Sequence, residues 1–230
     1  MFSKEKLIKM DLSGTEIILK LNKHVYSPSK VSYLIAKNLI INKNDIVLDI
    51  GTGIGILAII ASKLGAEKVF AIEISLKALK NAKENIILNK IFNIELINGS
   101  LYNPLKKKEF FDLIVCNPPM TPSPKPVSIY TWGGYDGRKI LDEVIKNASN
   151  YLKKNGRLII PTISVCNIEK TKLMIKELNF SLKIIAEDLF PFSKIMIKLI
   201  DHIKSLPGAE IFYKDNIPHF KAIIFEAIKN

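Results

Sequence analysis

Five short runs of apolar residues recur along the chain, and each is typical of a strand that is buried on both faces. They are Ile46–Ile50, Val69–Ile72, Ile94–Ile97, Leu113–Cys116 and Leu158–Ile163. Strands of a parallel sheet read as continuous apolar runs because helices cover both faces of the sheet. The pattern therefore predicts a central parallel sheet.

Amphipathic segments lie between these runs and predict helices. One apolar stripe comprises Leu76, Leu79, Ala82 and Ile86, and a second comprises Ile140, Leu141, Val144, Ile145, Ala148 and Leu152. Gly65 and Gly156 stand where the C-terminal caps of helices are expected. The alternation of strands and helices predicts a doubly wound, Rossmann-like α/β fold with right-handed crossovers.

The N-terminal part of the chain has a different rhythm. Residues 5–10 and 15–21 read as two short strands that are joined by the turn-rich segment Asp11–Gly14. Ser27 followed by Pro28 predicts the start of a helix that runs to about residue 41. We therefore expect residues 1–42 to form a hairpin and a helix that pack on a core formed by residues 43–230.

The C-terminal part also departs from the alternation. Leu182–Glu187 and Lys221–Ala227 read as two strands that can pair as antiparallel neighbours and complete a seven-stranded sheet. A helical insertion near 193–206 is predicted between them by an apolar stripe, formed by Ile195, Met196, Leu199, Ile200 and Ile203. This stripe fits core packing, and it also fits a surface for a substrate or a second copy of the chain.

Composition sets the class of protein. The chain has 230 residues, 48% hydrophobic and 24% charged, which is typical of one globular domain with a sizeable core. It contains no membrane-length apolar window and no signal-peptide pattern in its first residues, so we expect a cytoplasmic protein without membrane contact. The cysteines Cys116 and Cys166 lie in apolar contexts that suggest buried thiols. With three scattered histidines they show no zinc-ligand spacing, so no metal site is expected.

The net charge of +12 has two interpretations. A basic protein is attracted to nucleic acid or to acidic protein surfaces, which suggests RNA or a ribosome-associated partner. A chain rich in lysine and isoleucine also fits genome composition or adaptation to heat. The lysines are spread along the chain, with one dense patch at 106–108, and the charge alone does not separate these interpretations.

A glycine-rich segment after the first apolar run predicts a nucleotide-type cofactor site. Asp49 precedes the loop Gly51–Gly55, which contains Gly51, Thr52, Gly53 and Gly55, and Glu73 ends the next run. Alternating glycines let the backbone turn tightly and let a ligand contact the main chain. An acid at the end of the second strand can accept hydrogen bonds from both ribose hydroxyls. A dinucleotide and S-adenosylmethionine both fit this geometry.

Asp49 discriminates between these two cofactors. The dinucleotide fingerprint G-x-G-x-x-G does not include an acid at this position. A carboxylate immediately before the loop would repel a pyrophosphate, whereas it would attract the ammonium group of a methionine moiety. The electrostatics therefore favour S-adenosylmethionine.

The D-x-G-x-G-x-G pattern resembles the first motif of the seven-stranded class I methyltransferases, and the similarity extends over about residues 25–190. The resemblance implies that S-adenosylmethionine binds between the glycine loop and the residues Glu73 and Ile74. It also implies adenine contacts from the segment after the third strand. There Ser100 replaces the acid that the family often has, and Leu101 is expected to pack on the ring.

The segment Asn117-Pro118-Pro119-Met120 follows the fourth apolar run and predicts the reaction chemistry. The lone pair of an amide or exocyclic amino nitrogen is delocalised, so this nitrogen is a poor nucleophile. The Asn117 side-chain oxygen and the Pro118 carbonyl can accept its two N–H protons and stabilise the positive charge that develops. Pro118 and Pro119 restrict the backbone and hold these acceptors rigidly. We expect Asn117 to contact the cofactor as well.

Asn-Pro-Pro followed by an aromatic residue is typical of methyltransferases that act on adenine, guanine or glutamine nitrogen. Met120 replaces the aromatic residue here, and a polarizable thioether can lie on a planar group. An ordinary turn that ends a strand is the alternative interpretation of the segment.

Two further segments resemble the release-factor glutamine methyltransferases, in particular their short form. They are V-Y-x-P, which contains Tyr26, and W-G-G-x-D-G-R, which contains Trp132, Gly133, Gly134 and Arg138. The resemblance implies that the substrate is the Gly-Gly-Gln loop of a termination factor, contacted by these residues together with Met120. A flexible lid with a helix cap is the alternative for the second segment.

Two other functions stay open from the sequence. One is methylation of an amino group on a ribosomal or transfer RNA base, which the basic charge favours. The other is a catalytically silent cofactor-binding module in a larger assembly. An activating partner is compatible with each of these functions.

Overall fold

The computed structural model describes residues 6–12, 14–23, 25–106, 108–128 and 130–230, and this part of the chain contains ten strands and seven helices. The strands are β1 Lys6–Leu12, β2 Thr15–Leu21, β3 Ile46–Ile50, β4 Lys68–Glu73, β5 Ile94–Asn98, β6 Phe111–Cys116, β7 Leu152–Ile163, β8 Phe180–Pro191, β9 Phe212–Lys214 and β10 Ile217–Lys229. The helices are α1 Lys30–Asn38, α2 Ile56–Lys63, α3 Leu76–Leu88, α4 Lys139–Tyr151, α5 Ile168–Glu177, α6 Lys194–Lys198 and α7 Ile200–Lys204.

The central sheet has the strand order β5-β4-β3-β6-β7-β10-β8, and the short strand β9 pairs with β10. Strands β3 to β7 are parallel, whereas β10 is antiparallel to its neighbours β7 and β8. This arrangement confirms the predicted doubly wound α/β fold with antiparallel last strands. Strand β9 is an eighth member that the apolar pattern does not predict.

The apolar runs form the interior of this sheet. Val47, Leu48, Leu113 and Ile114 on the two central strands are completely buried. Burial of such side chains contributes roughly 1.5–3 kcal/mol each relative to exposure. Cys116 and Cys166 are both buried free thiols, as predicted. Among the described residues, no helix is both long enough and apolar enough to cross a membrane.

Helix α1 begins two residues later than the sequence predicts. The N-cap is Ser29 rather than Ser27, because the Ser29 hydroxyl accepts a hydrogen bond from the Ser32 amide at 3.1 Å and the Ser32 hydroxyl accepts one from the Ser29 amide at 3.2 Å. This reciprocal capping box satisfies two amides at the helix start. The helix ends at Asn38 because the next residue is extended, so the predicted end near residue 41 is also wrong.

Two other helix predictions need correction. Gly65 does follow α2 with a φ of +106°, as a C-terminal cap requires, but Gly156 lies inside β7. Helix α4 leads directly into that strand, and a side chain at Gly156 would lie 2.9 Å from the Lys153 carbonyl oxygen. The predicted helix in the insertion is divided at Leu199 into α6 and α7.

The predicted apolar stripe of α3 is confirmed at Ala82 and Ile86, which are buried, but Leu76 is 70% exposed, and the buried face also contains Asn81 and Asn85, which are completely buried. These asparagines face the hairpin formed by β1 and β2. Strand β2 pairs with β1 along one edge, and its other edge lies against α3. Its backbone groups along that edge therefore need partners other than a strand.

Three asparagines at i, i+4 and i+8 of this helical face supply those partners. The side-chain oxygens of Asn81, Asn85 and Asn89 accept hydrogen bonds from the amides of Asn22, Lys20 and Ile18, at 3.1, 2.7 and 3.0 Å. The side-chain nitrogens of Asn81 and Asn89 donate back to the carbonyl oxygens of Lys20 and Ile18. We call this set the asparagine ladder.

The central member of the ladder also reaches the glycine loop. The Asn85 side-chain nitrogen donates to the Ile54 carbonyl oxygen at 2.9 Å, while its oxygen holds the Lys20 amide. One buried side chain therefore connects the hairpin with the loop that precedes α2.

Replacement of Asn85 by leucine should destabilise the protein, because the Lys20 amide and the Ile54 carbonyl would lose their buried partner. We expect the free energy of unfolding to fall by about 2 to 4 kcal/mol, measured by urea denaturation. Asn147→Leu on α4 is the matched control, because the Asn147 side chain bonds only to a carbonyl of its own helix. Equal stability of the two variants would contradict a role for the ladder in stability.

Candidate active site

The candidate site lies where the strand order reverses between β3 and β6. The sheet continues to β4 and β5 on one side of this point and to β7 on the other side. Ile50 pairs with Cys116, so the glycine loop and the Asn-Pro-Pro segment leave the sheet side by side. Ligands of open α/β sheets bind in the crevice outside the carboxyl ends of the strands at such a point.

The glycine loop turns on a carbonyl of the neighbouring strand. The amides of Gly51 and Thr52 both donate to the Ile72 carbonyl oxygen, at 2.8 and 3.0 Å. Gly51 and Gly53 have φ values of +73° and +58°, a region that favours glycine. A side chain at either position would meet no described atom within 4 Å, so this face of the loop opens toward space for a ligand.

Gly55 has a different task from the other two glycines. Its φ is +92°, and a side chain there would contact Ala82 of α3 at 3.4 Å. The absence of a side chain lets α2 start close to α3. Gly55 therefore faces the protein interior, whereas the sequence analysis grouped it with the residues that bind the cofactor.

The Glu73 carboxylate lies between the glycine loop and the start of α3. One of its oxygens accepts from the Gly53 amide and the other accepts from the Ser75 amide, both at 2.9 Å. Each carboxylate oxygen keeps further lone-pair capacity for a ribose hydroxyl. The side chain is half-buried and lies at the edge of the crevice.

Asp49 is sealed beneath the loop with no exposed surface. Its Oδ2 accepts from the Ala58 amide at 3.1 Å, whereas its Oδ1 and the Thr52 hydroxyl have no partner in hydrogen-bond geometry among the described residues. Burial raises the pKa of Asp49 to about 7, and the charge of Glu73 adds to this effect while the Ala58 amide and the nearby Thr52 hydroxyl oppose it. A buried carboxylate oxygen without a partner favours a cationic ligand at the loop.

The residues expected around the adenine lie beyond Glu73. Ile74 directly follows β4 and is 69% exposed, so its apolar side chain is open to contact with a ligand. The Asn98 side chain donates to the carbonyls of Glu73 and Ile74 and ties the end of β5 to this edge. Ser100 and Leu101 follow, and Leu101 has a φ of +52°. Together with the open glycine face and the unpaired Asp49 oxygen, these residues fit S-adenosylmethionine.

The Asn-Pro-Pro segment is held from an unexpected direction. The Asn117 side-chain nitrogen donates to the hydroxyls of Ser29 and Ser32, at 3.1 and 2.8 Å. Sequence reasoning missed both serines, although their i, i+3 spacing is that of a capping box. Pro118 is buried and Pro119 is half-buried.

Met120 is 7% exposed and belongs to the hydrophobic core. Its carbonyl oxygen accepts a hydrogen bond from the Cys166 thiol at 3.2 Å. The sequence analysis expects its thioether to lie on a planar substrate group, and little of that side chain reaches the surface in this structure.

The segment after Met120 is a folded loop rather than an open lid. The amide of Gly133 donates to the Thr121 carbonyl at 3.0 Å, and the amide of Ser123 donates to the Gly134 carbonyl at 2.9 Å. A side chain at Gly133 would lie 2.5 Å from the Gly137 carbonyl oxygen. The absence of side chains at Gly133 and Gly134 therefore allows close contacts within the loop itself. A close approach of a substrate is not the only reason for glycine at these positions.

Aromatic side chains cover the outer face of this loop. Trp132 donates from its indole nitrogen to the Ser123 carbonyl at 3.0 Å, and the Lys139 ammonium lies 5.1 Å from its ring centroid. Tyr26 is 46% exposed and stacks on Tyr130 with ring centroids 5.8 Å apart. Tyr130 is not among the residues predicted from the sequence, although it lies only two residues before Trp132.

The expectation that Arg138 contacts the substrate is corrected by its position. Its side chain is 2% exposed and lies 2.7 Å from the Asp142 carboxylate. The guanidinium also donates to the carbonyls of Cys166 and Asn167 and to the Thr171 hydroxyl. Arg138 therefore joins the loop to the start of α5.

Comparisons with known proteins identify the family of this chain. The family model described as "Methyltransferase small domain" matches residues 16–188. A Methanocaldococcus jannaschii relative, provisionally named a protein N5-glutamine methyltransferase, is 38% identical over 187 residues, which cover 79% of this chain and 93% of the relative. Release factor glutamine methyltransferase of Fusobacterium nucleatum is 36% identical over 155 residues, which cover 62% of this chain and 43% of that enzyme.

A solved structure shares the fold. The 16S rRNA N2 G1207 methyltransferase of T. thermophilus, in complex with AdoMet and guanosine, superposes with a TM-score of 0.66 at 15% identity. The match covers 99% of this chain and 51% of that chain. This chain thus spans about half the length of the rRNA enzyme and less than half of the F. nucleatum enzyme, while it spans nearly the whole M. jannaschii relative.

The raised pKa of Asp49 predicts how cofactor binding depends on pH. The carboxyl is mostly protonated below about pH 7 and charged above it, and a cationic ligand favours the charged form. We expect the Kd for S-adenosylmethionine to fall by up to about tenfold for each pH unit gained below this pKa. Calorimetric titrations at several pH values would measure it, with Asp49→Asn as the variant that cannot titrate. A wild-type Kd that is independent of pH would contradict the prediction.

The buried position of Arg138 predicts that its loss affects stability rather than substrate affinity. Arg138→Met leaves Asp142 with Lys170 as its remaining cation and leaves the carbonyls of Cys166 and Asn167 without their guanidinium donor, so the free energy of unfolding should fall by about 3 kcal/mol in chemical denaturation. Lys172→Met removes an exposed ion pair with Glu169 and should cost less than about 1 kcal/mol. Unchanged stability combined with a raised KM would restore the substrate-binding role.

Proposed function

The chain belongs to the methyltransferase small domain family and is an S-adenosylmethionine-dependent methyltransferase, and we propose that it methylates the side-chain amide nitrogen of a protein glutamine. The observation that carries the proposal is the pairing of Ile50 with Cys116, which places the Asn-Pro-Pro segment beside the glycine loop. Two relatives are named for glutamine methylation, and this agrees with the proposal.

S-adenosylmethionine, when bound, supplies an electrophilic methyl group on a sulfonium. Gly51 and Gly53 would lie against it with their open faces, Glu73 would accept from the ribose hydroxyls, and Ile74 with Leu101 would cover the adenine. The charge of Asp49 beneath the loop would favour the ammonium end of the methionine moiety.

The residues of this chain would prepare the acceptor nitrogen. An amide nitrogen has a delocalised lone pair, and positive charge develops on it as the new bond to carbon forms. Asn117 Oδ1 and the Pro118 carbonyl would accept its two N–H groups, and this stabilises the developing charge and orients the nitrogen. No strong base is required, because the nitrogen loses a proton readily once it carries the methyl group.

The substrate that fits this proposal is a glutamine presented on a glycine-rich loop of a termination factor. Tyr26, Trp132 and the surrounding loop would contact such a glycine-rich loop. A partner subunit that activates the enzyme is part of the same proposal, and added cell extract would supply it in the assay.

A second candidate is methylation of an RNA base amino group, which the net charge of +12 favours. A planar exocyclic nitrogen has the same need for two acceptors. The distinguishing experiment incubates the enzyme with labelled S-adenosylmethionine and with termination factors or RNA. Label in the wild-type factor, and none in a factor whose loop glutamine is replaced by alanine, supports glutamine methylation. Label in RNA alone would overturn it.

The role of Asn117 gives a prediction that separates binding from chemistry. Asn117→Ala removes one acceptor, so the rate of methyl transfer should fall by about 100-fold or more while the Kd for the cofactor changes little. Asp49→Ala is the contrasting variant and should abolish cofactor binding. Measurable transfer by the wild type would exclude a silent binding module, and full activity of Asn117→Ala would contradict the proposed chemistry.

A further inference from the structure

The side-chain amide of Asn117 uses both of its N–H donors on helix α1. Its nitrogen donates to the Ser29 hydroxyl at 3.1 Å and to the Ser32 hydroxyl at 2.8 Å. The two hydroxyl oxygens are 3.1 Å apart. Each also accepts a backbone amide of the other serine, so they form the capping box and hold Asn117 at the same time.

We propose that Ser29 and Ser32 are positioning residues that set the orientation of the Asn117 amide, and this inference rests on the proposed function. The nitrogen and the oxygen of a carboxamide point in divergent directions. With both donors directed at α1, the Asn117 oxygen is left facing away from that helix. No hydrogen bond to this oxygen occurs within the described residues, so its lone pairs can accept an N–H group of the substrate.

The orientation matters because a carboxamide can rotate by half a turn with little change in shape. In the rotated state the Asn117 nitrogen would face the substrate, and its N–H groups would oppose the N–H groups of the glutamine. Donors would then meet donors and the nitrogen would not be activated. The two serines therefore select the state in which Asn117 is an acceptor.

The anchor of this arrangement is rigid. Ser32 is 8% exposed, and its hydroxyl is held by the first turn of a helix that packs against α2 and β8. The same turn follows Tyr26, which stacks on Tyr130 of the loop after the Asn-Pro-Pro segment. The segment that leads into α1 thus contacts both the acceptor residue and the substrate side of the site.

The kinetic test uses three substitutions. Ser29→Ala and Ser32→Ala should each lower kcat, by roughly up to 100-fold, with an unchanged Kd for S-adenosylmethionine. Ser29→Asp keeps the helix cap and offers only acceptors to Asn117, so it should retain much more activity than Ser29→Ala. If the Asn117 oxygen faced α1 instead, the carboxylate would repel it. Equal loss of activity in folded Ser29→Asp and Ser29→Ala would therefore overturn the proposal.

The matched control is Ser193→Ala, which removes the N-cap of α6, where the Ser193 hydroxyl accepts from the Met196 amide and does not hold Asn117. It should reduce thermal stability by an amount similar to Ser29→Ala while kcat for each folded molecule is unchanged. A fall in kcat that is as large as that of Ser29→Ala would show that loss of a helix cap alone explains the kinetics, and it would overturn the positioning role.

A spectroscopic test does not depend on activity. The side-chain N–H protons of Asn117, assigned in nitrogen-15 NMR spectra by their absence from Asn117→Asp, should exchange slowly with solvent in the wild type. Their protection should be lost in Ser32→Ala and retained in Ser32→Thr. Fast exchange in the wild type would overturn the orientation. Slow exchange of the Asn117 side-chain protons in an enzyme that labels no glutamine would overturn the proposed function. It would leave the orientation of the Asn117 amide supported.

Discussion

The parallel pairing of β3 with β6 is the constraint on which the site depends. These strands are consecutive in space, but β4 and β5 lie between them in the sequence. The loops that leave their carboxyl ends therefore diverge, and a crevice opens between them. The glycine loop forms one wall of this crevice and the Asn-Pro-Pro segment forms the other. A cofactor would bind the first wall and an acceptor nitrogen the second. The backbone hydrogen bonds between β3 and β6 bring these two walls together.

Helices α1 and α3 supply the side chains that hold the two walls of the crevice in place. Helix α1 provides hydroxyls for Asn117, and α3 provides the small surface of Ala82 that admits Gly55. Both helices pack apolar residues into the core, but they reach the site through polar or small residues. This is why polar side chains inside the protein, such as Asn85, connect parts of the chain that are distant in sequence.

The fold could be predicted because each central strand is an uninterrupted apolar run. Such runs are typical of strands that are buried on both faces of a parallel sheet. The cofactor loop could be predicted because its glycines and Asp49 follow one such run. Periodicity predicted the burial of Ala82 and Ile86 on α3, but it misplaced Leu76 and gave no signal for the burial of Asn85, which follows from the need of the β2 backbone edge for polar partners. Arg138 was misjudged because its place in the glycine-rich motif suggests a substrate contact, and only the fold reveals its burial and its partner Asp142.

The asparagine ladder also sets a geometric limit on this kind of contact. Four residues of a helix advance about 6.0 Å, whereas two residues of a strand advance about 6.6 Å. The two repeats agree well enough for Asn81, Asn85 and Asn89 to meet alternate residues of β2. The mismatch grows by about 0.6 Å at each step, so a longer ladder would drift out of hydrogen-bond range within a few further steps. A helix can thus stand in for a neighbouring strand over one short hairpin, and the length of this hairpin matches the span over which the two repeats agree.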